Sequence, residues 1–68
     1  MKQWVCIDNK GYEQELVQGK TYTEIASGYL AFCILIKNEM GIVTEYYQPL
    51  RFLPIDEWRQ MQLKKIGI

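Results

Sequence analysis

Histidine is absent from this 68-residue chain, and proline and cysteine occur only twice each. Without histidine there can be no Ser-His or Cys-His nucleophile pair. Cys6 and Cys33 lie far apart in the sequence with no histidine to complete a set, so they form no zinc site. A glycine-rich phosphate loop is also lacking, because Gly11 and Gly19 are separated by a polar stretch and open no helix. No apolar run approaches the roughly 18 residues of a membrane span; the longest, Tyr29 to Ile36, has the length of a strand. The N-terminal residues lack the charged head, long apolar stretch and small-residue cleavage site of a secretory leader. The resulting expectation is a cytoplasmic setting, in the encoding cell or in a host.

An excess of charge is missing too. Eight basic residues balance eight acidic ones, with a pI of about 6.2. That balance argues against a general nucleic-acid coat, which needs a basic surplus to displace counterions. It also leaves little self-repulsion between copies. In a reducing compartment the two cysteines are expected as buried free thiols rather than a disulfide. Neither has the neighbouring cation or helix end that activates a thiolate. No enzyme, metal or cofactor is implied.

What the chain does contain is apolar and aromatic side chains, 49% and 13% of its residues. This suffices for one globular domain, residues 1–68, near the lower limit for folding without metal or disulfide. Lys2 to Asp8, with Trp4, Val5 and Ile7, predicts a first strand. Asp8-Asn9-Lys10-Gly11 is turn chemistry, leading to a long loop pinned by Leu16 or Val17. Gly19 allows the bend into a second strand, Lys20–Ala26. Ser27-Gly28 turns into a third, Tyr29–Lys37, which is apolar on both faces and expected to centre the core. Lys37-Asn38-Glu39-Met40-Gly41 reads as a tight hairpin with Gly41 near a positive-φ position. A fourth strand, Gly41–Gln48, follows, then Pro49 and a short fifth strand ending at Leu53.

The tail has a different period. Pro54 suits the start of a helix, Asp56 and Glu57 fit its first turn and Lys64 and Lys65 its last, with Gly67 as a stop. Ile55, Trp58, Met61 or Gln62, and Ile66 recur at helical spacing, predicting an amphipathic helix over about 54–66. The simplest arrangement docks Trp58 and Met61 over strands one and three, covering the second apolar face of strand three. The competing arrangement lays that stripe on another protein or on a second copy, giving a homodimer through the helix.

The segment Val5-Cys6-Ile7-Asp8-Asn9-x-Gly11-Tyr12-x3-Leu16-x2-Gly19-Lys20-x-Tyr22, with Tyr46-x-x-Pro49-x-Arg51-Phe52, resembles small uncharacterised proteins of bacterial and phage genomes. Those are similar to SH3-type β-barrels of five short strands, and Pro49-Leu50-Arg51-Phe52 resembles the turn into their last strand. The likeness spans about residues 3–53. Two features depart from it: the apolar Trp4-Val5 pair and the helix that follows the barrel. The resemblance implies a small five-stranded SH3-like barrel and no shared activity. With the helix read from the periodicity of the tail, the expected fold is mainly β, a five-stranded SH3-like barrel with a C-terminal amphipathic α-helix.

With catalysis set aside, binding remains, and a non-enzymatic protein-interaction module is the expected function. Tyrosines at the rim of a small barrel, beside an acidic loop, are how SH3 domains grip proline-rich segments, although their Ala-Leu-Tyr-Asp-Tyr run and paired tryptophans are absent here. Tyr12 on the loop and Tyr47 on strand four are the best exposed candidates. Glu13 and Glu15 flank the first, Glu45 shares a face with the second, and Trp58 and Arg59 stand on the helix. A phage or mobile-element accessory that modulates a host protein suits the neutral, aromatic-rich make-up. The alternative is a small nucleic-acid-binding barrel stacking bases on aromatics, held back by the scattered lysines; only Arg59, Lys64 and Lys65 cluster, where they complement the helix C-terminus.

Overall fold

Side-chain alternation along the first strand sets out the architecture. In the computed structural model, which describes residues 2–28 and 30–65, Trp4, Val5 and Cys6 of β1 (Gln3–Cys6) are all buried. Successive strand residues point to opposite faces, so β1 is covered on both sides. On one side Trp4 and Cys6 join Leu16, Tyr22, Ile34, Ile36, Tyr46 and Phe52 in a single apolar cluster. Val5 lies outside that cluster although it is almost fully buried. It pairs with Leu53, on the side where the helix lies.

The remaining elements are β2 (Thr21–Ser27), β3 (Cys33–Lys37), β4 (Val43–Tyr47), β5 (Phe52–Pro54) and α1 (Ile55–Lys65). The strands form one antiparallel sheet in the order β4-β3-β2-β1-β5. The register of β2 slips between Glu24 and Ala26, where Ile25 is the extra residue. A bulge of this kind bends a strand and increases its twist. β2 therefore pairs with β1 through Thr21–Thr23 and with β3 through Glu24–Ser27. The sheet curls until Tyr46 of β4 meets Phe52 of β5, with ring centroids 6.0 Å apart. The two edges thus face each other across the core through side chains; no backbone pairing joins them among the described residues.

Local chemistry explains the connections. Asp8 accepts a hydrogen bond from the Lys10 amide at 2.9 Å, the turn expected of Asp before Asn and Gly. Between Leu16 and Val17 the long loop chooses Leu16, which is fully buried, while Val17 is exposed. Burying that leucine contributes on the order of 2 kcal/mol. The hairpin between β3 and β4 turns on Asn38, whose Oδ1 accepts from the Met40 and Ile42 amides. Gly41 adopts φ 79° there, as expected for a position that disfavours a side chain.

Strand three departs from expectation. The stretch 30–32 is a turn rather than a strand, and the strand begins at Cys33; Tyr29 lies outside the described residues. Ile34 and Ile36 are buried, but Leu35 and Cys33 on the opposite face are only half-buried. Cys33 is thus not the fully buried thiol expected, whereas Cys6 is; both are free. The strand hidden on both faces is β1, because α1 packs on β1 and β5 and not on β1 and β3. The physical reason is connectivity. α1 begins immediately after Pro54, so it folds back over the strand it leaves and that strand's neighbour.

The helix is docked only partly. None of its side chains is buried: Trp58, Ile55 and Gln62 are half-buried, while Met61 and Leu63 are exposed. Trp58 and Met61 border a shallow groove with Cys6, Ile7, Gly19 and Leu53. Ile66 and Gly67, expected on the stripe and as the stop, lie outside the described residues. Trp58→Ala is expected to destabilise the chain by about 1–2 kcal/mol, below the roughly 3–5 kcal/mol of a fully buried aromatic such as Phe52. Urea denaturation of the two alanine variants measures the contrast, and equal losses would contradict a half-docked helix.

Candidate functional site

The face of β3 and β4 away from the core carries Leu35 and Cys33 beside Val43, Glu45 and Tyr47, in the register Lys37–Val43, Leu35–Glu45, Cys33–Tyr47. At one end of this face two turns lie side by side. The turn before β3 is closed by the Gly28 amide donating to the Cys33 carbonyl at 2.9 Å. A Cβ on Gly28 would sit 2.8 Å from the Cys33 carbonyl carbon, so no larger residue fits the closure. The turn after β4 is closed by the Arg51 and Phe52 amides donating to the Gln48 carbonyl. The Gln48 amide in turn donates to the Phe32 carbonyl at 2.8 Å and staples the two turns together.

Both turns hold a large apolar residue in left-handed backbone, Phe32 at φ 65° and Leu50 at φ 69°. For a side chain with a Cβ this conformation costs about 1–2 kcal/mol, and turns normally assign it to Gly or Asn. Neither side chain recovers the cost by burial, since Phe32 is 65% and Leu50 88% exposed. Leu30 in the first turn is 70% exposed. Backbone strain that the core does not need is a feature of functional surfaces, and an apolar group held toward water is a feature of interaction sites.

The long loop reaches this region through Arg51. Its guanidinium lies 4.5 Å from the centre of the Tyr12 ring, and its Nη1 donates to the carbonyls of Asp8 and Lys10 at 3.0 and 3.2 Å. Tyr12 also meets Tyr46 edge-on at 5.4 Å. At 38% exposure it is half embedded, one face held by the fold and the remainder open.

On the other flank a polar network joins loop to hairpin. The Val17 amide donates to the Tyr22 hydroxyl at 2.8 Å, and that hydroxyl donates to Glu39 at 2.7 Å. Lys20 pairs with the same Glu39 carboxylate. The Tyr46 hydroxyl donates to Glu15 at 2.6 Å and accepts from Asn38 at 3.2 Å. Burial pushes the Tyr22 phenol up to about 12, with the Glu39 charge adding to the rise. Burial also raises Tyr46, reinforced by Glu15. Hydrogen bonds from Lys20 and Tyr22 hold the Glu39 carboxyl below its ordinary range. Burial raises the Cys6 thiol, the reverse of what a nucleophile needs.

The residues singled out from sequence do not form one site. Tyr12 is held by Arg51 and Tyr46, and Glu15 serves as the acceptor of Tyr46. Glu13 accepts from the Gly11 amide within its own loop. Glu45 accepts from the Leu30 amide at 3.3 Å. Tyr47 is 57% exposed on the outer face of β4. Trp58 and the exposed Arg59 belong to the helix on the β1–β5 side. Leu30 and Phe32 were missed because the apolar run in Tyr29–Lys37 read as core strand, and Leu50 was placed in the turn before the last strand without being singled out. Length gave no warning, because the fourth strand expected beside that run, Gly41–Gln48, is nearly as long; the observed strand is only Val43–Tyr47.

Among the described residues no group of three or more acidic or cysteine side chains could hold a metal ion, and no helix is long and apolar enough to cross a membrane. No protein-family model, curated protein or solved structure matches the chain.

The tyrosine network has a titration signature. Because the Tyr22 phenol is raised above its ordinary 10.0 to about 12, folding favours its protonated form. Its contribution is complete below pH 10 and is lost as the pH rises through 12. Stability by urea denaturation is expected to fall across that window, and Tyr22→Phe to flatten the fall, leaving the smaller share owed to Tyr46. An unchanged alkaline slope in the variant would contradict the assignment.

Proposed function

We propose that the chain is a non-enzymatic protein-interaction module whose contact surface is the apolar turn end formed by Leu30, Phe32 and Leu50, with Tyr12 and Tyr47 at its margins. The supporting observation is the pair of exposed apolar residues in left-handed backbone. Selection for stability alone would place Gly or Asn at both positions. A partner that covers Phe32 and Leu50 turns the strain into pre-organisation, since the side chains are already presented and little ordering remains on binding.

The balanced charge supports a protein partner over a nucleic acid. So does the engagement of two cations by the fold itself, Lys20 with Glu39 and Arg51 with the loop carbonyls. The neutral, aromatic-rich make-up and the resemblance to small SH3-like barrels of bacterial and phage genomes favour an accessory protein of a phage or mobile element that binds and modulates a host protein.

The strain separates stability from binding. Leu50→Asn is expected to raise stability by about 0.5–1 kcal/mol, because Asn tolerates left-handed backbone and little burial is lost. Phe32→Asn and Leu50→Asn together are expected to abolish retention of a host protein by the immobilised chain in nuclease-treated lysate. In a parallel capture without nuclease, retention of nucleic acid with a steep salt dependence would favour the alternative reading. A double variant that captures the same protein as the parent would remove the turn end from the interface.

A further inference from the structure

The two edges of the sheet are unequally guarded. β5 is three residues long, ends in Pro54 and runs directly into α1, which packs against it. β4 is five residues long and contains neither proline nor lysine, two of the devices that blunt natural edges. Among the described residues the only register slip in the sheet lies in β2. No strand pairs with the outer side of β4 among the described residues.

The direction of its backbone groups follows from the ladder. The Asn38 amide donates to the Ile42 carbonyl and the Gln48 amide to the Phe32 carbonyl, so both ends of β4 are hydrogen-bonded pairs. Such pairs alternate with non-hydrogen-bonded ones in an antiparallel ladder. Thr44 and Tyr46 therefore turn their amides and carbonyls toward β3, and Val43, Glu45 and Tyr47 turn theirs away. The same three side chains share the outer face, with Val43 and Tyr47 exposed and Glu45 between them. Glu45, while accepting from the Leu30 amide, is the only charged residue of the strand.

We infer that the edge of β4 accepts an extended segment of a partner protein as a sixth strand, with a Lys or Arg of the guest opposite Glu45 and apolar residues opposite Val43 and Tyr47. Strand addition of this kind draws affinity from main-chain hydrogen bonds and specificity from alternate side chains. Charge decides the occupant. A second copy pairing its own β4 antiparallel in the register that uses all three outward residues, Val43 opposite Tyr47, would set Glu45 against Glu45, and like charges directly opposite are destabilising. Sliding by two residues avoids that clash but leaves one of the three outward residues of each β4 without a β4 partner. Lys37 stands beside Val43 on β3, so the guest's cation belongs opposite Glu45 and not at the strand end. The inference rests on the protein-interaction reading but uses a surface separate from Phe32 and Leu50.

The test is an NMR titration of the full chain with the peptide acetyl-Thr-Val-Thr-Lys-Thr-Val-Thr-amide. Shifts and slowed exchange centred on the amides of Val43, Glu45 and Tyr47 are expected. Replacing the peptide lysine by glutamate, or introducing Glu45→Lys, should weaken binding roughly tenfold, and the two changes together should restore it. Because Glu45→Lys also alters the contact with Leu30, Val43→Pro supplies a second variant: it removes one outward amide, spares the ladder to β3, and should also weaken binding. The Phe32→Asn/Leu50→Asn chain should bind the peptide like the parent. Unmoved edge amides at saturating peptide would overturn the inference. So would equal affinity for the Lys and Glu peptides, or concentration-dependent protection of those amides without peptide together with a dimer in sedimentation. Capture of a host protein that depends on Phe32 and Leu50, alongside a peptide that fails to bind, would overturn the edge and leave the turn-end reading standing.

Discussion

Two tyrosines that fill the core must also satisfy their hydroxyls, and much of the molecule is arranged around that need. Tyr22 and Tyr46 are buried beside Phe52, and an unpartnered hydroxyl in such a place costs more than a made hydrogen bond returns. The partners come from elsewhere in the chain: Glu39 and the Val17 amide for Tyr22, and Glu15 and Asn38 for Tyr46. Glu15 and Val17 belong to the long loop, Asn38 and Glu39 to the β3–β4 hairpin. The Glu39 amide, donating to the Glu15 carbonyl at 2.8 Å, closes the circuit. The core thereby dictates the position of a loop that has no strand or helix of its own.

That circuit leaves the opposite end of the molecule to different rules. Around Tyr22 and Tyr46 no buried side-chain polar atom among the described residues lacks a partner, and local preferences agree with the fold. Around Phe32 and Leu50 they disagree, since large apolar residues occupy turn positions suited to Gly or Asn and face water. A domain this small has little stability to spare. Conflict confined to one end, with consistency everywhere else, is the distribution expected when a surface is kept for binding.

Periodicity read well wherever one physical effect dominated. The five strands, the Asp8–Gly11 turn, the Gly41 hairpin and the C-terminal helix were legible because alternation, turn residues and helix-end charges each act over a few neighbouring positions. Leu30 and Phe32 were misread because an apolar run has the same appearance whether it is hidden or displayed. The helix was recognised as amphipathic, but its seat on β5 in place of β3 depended on the short link from Pro54, a matter of reach that periodicity does not encode. Of the candidate site residues, Tyr47 is exposed on the strand-four face beside Glu45 as expected, whereas Tyr12 is half embedded against Arg51 and Tyr46. Glu15 proved to be a hydrogen-bond acceptor of the fold, a role invisible until Tyr46 is brought to it from 31 positions away.

By itself the amino-acid order determined most of which stretches extend, which turn and which coil, residues 30–32 excepted, because those choices are settled by contacts within a few residues. It also left no histidine for catalysis and argued against a cationic coat, since both depend on composition alone. Only the folded chain decided which strand is covered on both sides, which acids are bound to tyrosines, and which apolar side chains face water. Those outcomes depend on groups distant in sequence competing for the same space, and a curled sheet of five strands has room inside for only some of them.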